Sequence, residues 1–380
     1  MKTFSKCLAL VLAAAGAATL AGCNNGPSNH RTATTANWNV RTSSSVEENS
    51  FEFWQTNKEV AEYAISFTQG SNSTYGVTYS ESTAMYSTEF YMLAAYDWKS
   101  DTIEEYQSAE SDTEPVYVYK TSLIITGDYQ LKPNGATKHF TDTLDTVCYF
   151  RPAGKNLQPV YSEQKVKNTS PATLSASNIN SAVVQVDEEY RTYYNKQCSQ
   201  ATVQKYLPES EGSANYVLNS TKKIGLGSDY SNFDNSQIRA AIRAFTLSGG
   251  ATRTFNILSP QNGGVQSVSA RVSNPVELDS TNDKKIIDAL DAAPDNYIFF
   301  DGTVENKKED EKDRNYRFNA VSLSINASLQ GSSPTMWYST VENNDINGTR
   351  CVLLKMSTPL AFGLGTLHYN LKSLTVVPVQ

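Results

Sequence analysis

The sequence predicts an α+β fold, predominantly antiparallel β-sheet with two or three helices, and three observations carry that prediction. Strict apolar/polar alternation recurs along the chain, Asn-Gly turn signals fall between alternating runs, and helical periodicity is confined to short stretches. The clearest alternation is "VSLSINASL", where Val321, Leu323, Ile325, Ala327 and Leu329 point one way and Ser322, Ser324, Asn326 and Ser328 the other. Such a strand has one buried and one wet face. Tyr316 and Phe318 fall in the opposite phase, so either a bulge near Asn319 shifts the register or the strand begins later.

Taken in chain order, "SVEENSFEFWQTNKEVAEYAI" suits a helix or, by its aromatics, a strand. In "VYVYKTSLIIT", Tyr117, Tyr119, Leu123 and Ile125 share a face, and "KPNG" at Lys132 to Gly135 then turns the chain into a hairpin. The stretch "FDNSQIRAAIRAFTLSGG" reads as a helix: Asp234 or Ser236 can cap it, Ile238, Ala241, Ile242 and Phe245 form an apolar stripe, and Gly249 can close it. A second helix is expected in "STNDKKIIDALDAAP", with Ile286, Ile287 and Leu290 on one side and Pro294 as a stop. "DING" at Asp345 to Gly348 marks another hairpin, and "LHYNLK", Leu367 to Lys372, another alternating strand.

The N-terminus has the order of a secretory signal: Lys2 and Lys6, then an apolar run from Cys7 to Ala18, then "TLAGC". A spanning helix needs about 20 apolar residues, more than this run supplies. Its end, with Leu20, Ala21 and Gly22 before Cys23, resembles the lipobox of bacterial lipoproteins. The resemblance covers residues 1–23 and implies that the Cys23 thiol receives a diacylglycerol, that residues 1–22 are removed, and that Cys23 becomes the first residue. Each buried CH₂ of an acyl chain contributes about 0.8 kcal/mol, so two chains hold a protein on a bilayer where one barely does. The expected location is therefore the outer face of the bacterial cell membrane, or the outer membrane, with the membrane as a partner through lipid alone.

Residues 23–45, rich in Asn, Ser and Thr, read as a flexible tether. About 22 such residues have an r.m.s. span of roughly 25 Å. Beyond it the chain divides into a β-rich domain or half, 46–210, and an α+β domain or half, 211–380, with the boundary between about Leu207 and Asp234. The stretches "YVYKTSLIITGDYQL…TVCYF" and "YRFNAVSLSINASL…TRCVLL" share a long amphipathic strand, a Gly turn and a cysteine, a pattern that two related β-rich halves would produce.

Charge and composition narrow the function. The 32 basic residues, less Lys2 and Lys6, face 39 acidic ones, so the mature chain is more acidic than the formal −7 of the whole. A nucleic-acid surface needs the opposite balance, and adsorption to anionic headgroups is opposed. Three cysteines follow Cys23: Cys148, Cys198 and Cys351. At most one pair can bridge, and the apolar neighbours of Cys148 and Cys351 suggest buried thiols. No cofactor, metal-ligand spacing or catalytic motif is present in the sequence.

Weaker patterns have simple explanations. His30 sits in the tether, and His139 and His368 occupy polar positions of alternating strands. SxxK occurs at Ser162 to Lys165 and at Ser220 to Lys223, without the helix such a motif requires, and "KTS" at Lys120 carries Ser122 where the related motif has glycine. The acidic residues Asp101, Glu104, Glu105, Glu110, Asp112 and Glu114 lack calcium-loop spacing, and Glu305 to Asn315 alternates in sign as a hydrated loop does. The aromatics stand out more: 22 Tyr and 4 Trp, concentrated in "YSTEFYMLAAYDW", Tyr86 to Trp98, and "EEYRTYYN", Glu188 to Asn195. Exposed aromatic sheet faces stack sugars or cradle apolar ligands, while Tyr also packs well on sheet surfaces for structural reasons alone. The sequence thus favours a lipid-anchored, non-enzymatic extracytoplasmic binding protein whose partner is an apolar molecule such as a lipid, a glycan or an envelope protein. A secreted hydrolase using two carboxylates on glycans is the alternative, and a structural surface module a third.

Overall fold

A computed structural model describes residues 56–69, 77–98, 100, 102–105, 113–131, 136–151, 157–169, 186–226, 232–243, 250, 252–274, 276–279, 281–292, 319–326, 334–340, 352–359 and 365–379. In chain order its elements are β1 (Asn57–Gln69), β2 (Val77–Asp97), β3 (Thr102–Glu105), β4 (Thr113–Leu131), β5 (Thr137–Phe150), β6 (Pro159–Asn168), β7 (Val186–Tyr194), β8 (Gln200–Pro208), β9 (Tyr216–Gly225), β10 (Asn232–Asp234), α1 (Ile238–Ile242), β11 (Thr252–Ser259), β12 (Gly264–Val272), β13 (Val276–Glu277), α2 (Lys284–Asp291), β14 (Asn319–Asn326), β15 (Thr335–Thr340), β16 (Leu353–Pro359) and β17 (Gly365–Pro378). Among the described residues the chain is thus mostly antiparallel sheet with two short helices, in agreement with the expected fold class. The stretch that suited helix or strand forms β1 from Asn57 onward.

All the strands belong to one sheet. From β1 one arm runs through β2, β4, β5, β6, β7 and β8 to β9, and the other through β17, β16, β15, β14, β12 and β11 to β10. β3 lies on β2 and β13 on β14; the three-residue β10–β11 ladder is parallel and the other ladders are antiparallel. Position 210/211 falls between β8 and β9, which pair from Gln200 to Pro208, so both halves share one sheet. They also share a core: Tyr63, Tyr86 and Phe150 pack in the same cluster as Tyr338, Leu354 and Tyr369. Between the stretches that hinted at related halves the strand order differs. β4 pairs directly with the Cys148 strand, whereas β15 intervenes between β14 and β16.

The "KPNG" and "DING" turns lie outside the described residues, but the strands flanking each pair antiparallel as hairpins do. β14 begins at Asn319 and carries half-buried Ser322 and Ser324; Tyr316, Phe318, Ala327 and Leu329 lie outside the description. The face expected for β4 is seen, with Tyr117, Tyr119, Leu123 and Ile125 all buried.

The sheet is strongly curled, because strands from both arms converge on α1. Arg243 makes a bidentate ion pair with Glu59 of β1, 2.7 Å at each contact. Arg239 donates to the Tyr86 hydroxyl of β2 at 2.8 Å, while the Tyr338 hydroxyl of β15 donates to the Arg239 carbonyl at 3.1 Å. All five α1 residues are buried. The helix read from sequence as an amphipathic stripe is therefore shorter and enclosed all round; a single turn has no stability of its own and forms here through packing. No side chain caps it: Asp234 ends β10 and turns its carboxylate elsewhere. By contrast α2 behaves as its stripe predicts, burying Ile286 and Leu290, half-burying Ile287, and packing on β17.

Where the two arms meet, side chains rather than a strand ladder bridge them. Asn232 donates to the Cys198 carbonyl at 3.2 Å and accepts from Asn256 at 3.0 Å, and Lys222 of β9 bonds the Gly263 carbonyl in the β11–β12 turn. Leu258 and Val265 pack there with Tyr190, Tyr194 and Val203. Cys198 has φ 51, a left-handed conformation uncommon for a residue with a side chain. Outward positions of the curled sheet include exposed or half-exposed His139, Asp145, Lys165, Lys167 and Glu189. This apolar-inside arrangement is the reverse of a bilayer-spanning barrel, whose lipid-facing band is apolar.

Candidate functional site

The polar interior centres on Asp234. One of its carboxylate oxygens accepts from Ser162 Oγ and the Tyr194 hydroxyl, each at 2.6 Å. The other accepts from the Ser236 amide at 2.9 Å and from Ser236 Oγ. Gln164 stands 3.5 Å away and bonds Asn235. A carboxylate has about four lone-pair sites, and four donors occupy them. The arrangement ties β6 and β7 to the central segment 232–243 and suits a structural link better than a catalytic acid or base. Cys148 and Cys198 are buried free thiols. Burial, and then the Asp234 charge, hold the Cys148 thiol well above its usual range, while burial pushes Cys198 up to about 12. Neither is a ready nucleophile.

Several sequence candidates are separated by strand geometry. Ser162 points inward to Asp234 while Lys165, three positions on, lies outside with its ammonium 4.3 Å from the Tyr216 ring centroid. Alternation puts residues i and i+3 of a strand on opposite faces, so SxxK cannot act as a pair here. Ser220 and Lys223 on β9 are both exposed. His139 is exposed beside Asp128, 2.9 Å away, and His368 contacts Thr68 at 3.1 Å. Of the acidic residues, Glu114 pairs with Arg151 at 2.9 Å and accepts from Trp98 Nε1 at 3.1 Å; Glu104 and Glu105 lie on β3. Cys23, His30, Asp101, Glu110, Asp112, residues 305–315 and Cys351 fall outside the described residues. Among the described residues no cluster of three or more His, Cys, Asp or Glu could hold a metal.

The outward face of the first arm presents the most suggestive arrangement. Across the strands Tyr91, Val118, Tyr149, Tyr161, Tyr193 and Thr202 stand opposite one another in register, one each from β2, β4, β5, β6, β7 and β8. Directly opposed residues share a face. Their chain neighbours Tyr119, Cys148, Ser162 and Thr192 are buried inside, so this row lies on the outer face, where Val118 is nonetheless covered, at 1% exposure. Ring centroids are 5.9 Å apart for Tyr149 and Tyr161 and 4.9 Å for Tyr161 and Tyr193. Tyr161 is only 8% exposed and forms the floor; Tyr91, Tyr149, Tyr193 and Tyr206 are half-exposed around it. A satellite cluster of Tyr96, Val116 and Val160, with Trp98 against it, closes one side.

Polar groups fix the rings. The Tyr161 hydroxyl donates to Glu163 and that of Tyr206 to Gln204 at 2.7 Å. Arg191 binds Glu189 at 2.7 Å and lies 4.6 Å over the Tyr206 ring, and Lys120 lies 5.4 Å over Tyr91. Burial, reinforced by Tyr91 and Glu163, pushes the Tyr149 hydroxyl up to about 12; burial also raises Tyr161 and Tyr193. These hydroxyls therefore stay protonated near neutral pH and can donate. The row offers aromatic faces for stacking and hydroxyls for hydrogen bonding.

The two aromatic concentrations seen in sequence are split by alternation. Tyr86, Phe90, Tyr190 and Tyr194 go into the core, while Tyr91 and Tyr193 join the outer row and Trp98 flanks it. Tyr149 and Tyr161 were not among the sequence candidates, since each stands alone in its stretch. The available signal was their phase, opposite to that of Cys148 and Phe150 in "TVCYF".

No protein-family model matches the chain, and no curated protein matches it. Among solved structures, the β-barrel-like protein of the domain of unknown function DUF1849 from Brucella abortus aligns over 85% of this chain and 98% of its own, with 9% identity and a TM-score of 0.42.

Proposed function

We propose that this protein is a lipid-anchored, non-enzymatic binding protein of the bacterial envelope, and that its ligand is a glycan held on the outward tyrosine row. The carrying observation is the register of Tyr91, Tyr149, Tyr161 and Tyr193, which places rings from four strands on one outward face. Aromatic faces backed by protonated hydroxyls suit the alternating C–H faces and O–H edges of sugars. An interior carrier for lipid is less well supported, because segment 232–243 lies inside the sheet with every residue buried. The anchor rests on Leu20, Ala21, Gly22 and Cys23, and the tether would let the face reach ligands beyond the headgroups.

Two measurements test the two parts. Cys23→Ser should move the protein from the membrane to the soluble fraction of its host, and persistence in membranes would remove the anchor. Retention on immobilised envelope polysaccharide should fall for Tyr149→Ala and Tyr193→Ala while Ile124→Ala, on an outward position of β4 away from the row, keeps it. Equal retention of all three would remove the tyrosine row as the contact surface.

A further inference from the structure

We infer that the glycan is a linear, uncharged, β-linked polysaccharide lying across the strands, about one sugar ring per strand; this rests on the glycan reading above. Three observations carry it. The first is repeat distance. The row advances one strand at a time, with centroid steps of 5.9 Å and 4.9 Å where rings touch, and neighbouring strands lie about 4.8 Å apart. A β-1,4-linked chain is an extended ribbon whose rings advance by about this same spacing, so successive sugars would meet successive strands. From β2 to β8 through β4, β5, β6 and β7 the row covers five such steps, about 24 Å.

The second observation is shape. Tyr161 lies low, with half-exposed Tyr149 and Tyr193 on either side along the row. Val118, 1% exposed, is likewise low between Tyr91 and Tyr149, and Trp98 and the Tyr96 cluster border the row on one side. A branched or compact ligand would use only part of this track.

The third is charge. The outward groups beside the row alternate in sign: Glu89, Lys120, Glu163, Lys165, Glu189 and Arg191, three carboxylates and three cations. Arg191 is already paired with Glu189, and Glu163 takes the Tyr161 hydroxyl. An acidic polymer would meet as many carboxylates as cations, so stacking and neutral hydrogen bonds are left to hold the chain.

The test is calorimetric titration of the full-length Cys23→Ser protein with β-1,4-linked glucose and N-acetylglucosamine oligosaccharides, from the monosaccharide to about eight units, a series bracketing the track. Affinity should rise with length and level off near five or six units, and change little on adding salt to about 1 M, where charge interactions are screened. Tyr149→Ala and Tyr193→Ala should each weaken the longest oligomer about tenfold, the equivalent of 1.4 kcal/mol, and leave the monosaccharide nearly unaffected. Binding that is flat with chain length would overturn the track and leave the glycan reading standing. Preference for polygalacturonate, lost on adding salt, would overturn the uncharged ligand. Failure of every oligosaccharide and polysaccharide to bind would overturn both this inference and the glycan reading.

Discussion

The same strands carry tyrosines on both faces, and the two sets have different work. Inside, Tyr63, Tyr86, Tyr338 and Tyr369 close around α1. Tyr63 donates to the Leu353 carbonyl at 2.8 Å, Tyr86 accepts from Arg239, and Tyr338 donates to the Arg239 carbonyl. Tyr63 and Tyr369 both pack against Tyr86, with ring centroids 5.4 Å and 5.5 Å away. Outside, Tyr149 and Tyr193 have one side packed on Tyr161 and the rest half-exposed. The difference teaches that strand phase, rather than residue type, decides whether a tyrosine holds the fold or meets a ligand.

The comparison can be broken hardest at the interior. Glu59→Gln removes the carboxylate charge that Arg243 meets bidentately in the interior, which should destabilise the fold by about 3–5 kcal/mol in chemical denaturation. Tyr86→Phe keeps the ring and removes the acceptor of Arg239, so a smaller loss of about 1.5–3 kcal/mol is expected by the same measurement. A stability change below about 0.5 kcal/mol in both would mean that the central segment is not what the sheet is built around.

Alkaline titration sharpens the contrast next. Burial raises Tyr63, Tyr119, Tyr194 and Tyr369 above the ordinary value of 10.0, and Tyr149 to about 12. A folded-state value above the unfolded one contributes stability that is fully present below pH 10 and lost as pH rises through the folded value. Stability should therefore be level up to about pH 10 and fall above it. Ultraviolet absorbance of phenolate should lag behind that of the unfolded chain; coincident curves would show that the tyrosines are not buried. The smallest effect is expected from Tyr149→Phe and Tyr193→Phe, which keep the rings and should change stability by no more than about 0.5 kcal/mol.

Much of the strand content was legible, because alternation such as Tyr117, Tyr119, Leu123 and Ile125 depends on local spacing alone. The α2 stripe was legible for the same reason. In the stretch at Asp234 the helix was legible but its burial on every side was not, because its partners come from far away: Glu59 lies 184 residues from Arg243, and Tyr86 lies 153 from Arg239. No local pattern reveals that a sheet will curl around a segment and bury both of its arginines. The outer row was hidden for a related reason. Tyr149 and Tyr161 become neighbours of Tyr193 only through the β5–β6–β7 register, which a single sequence does not display.

The most direct test of this division of labour is one double variant, Tyr149→Ala with Tyr193→Ala, measured for both thermal unfolding and binding to the long β-1,4-linked oligosaccharide. The account predicts that the melting temperature falls by no more than about 5 °C while oligosaccharide binding is lost. A steep loss of melting temperature with binding unchanged would contradict it, because the outward tyrosines would then be part of what holds the fold and not of what it binds.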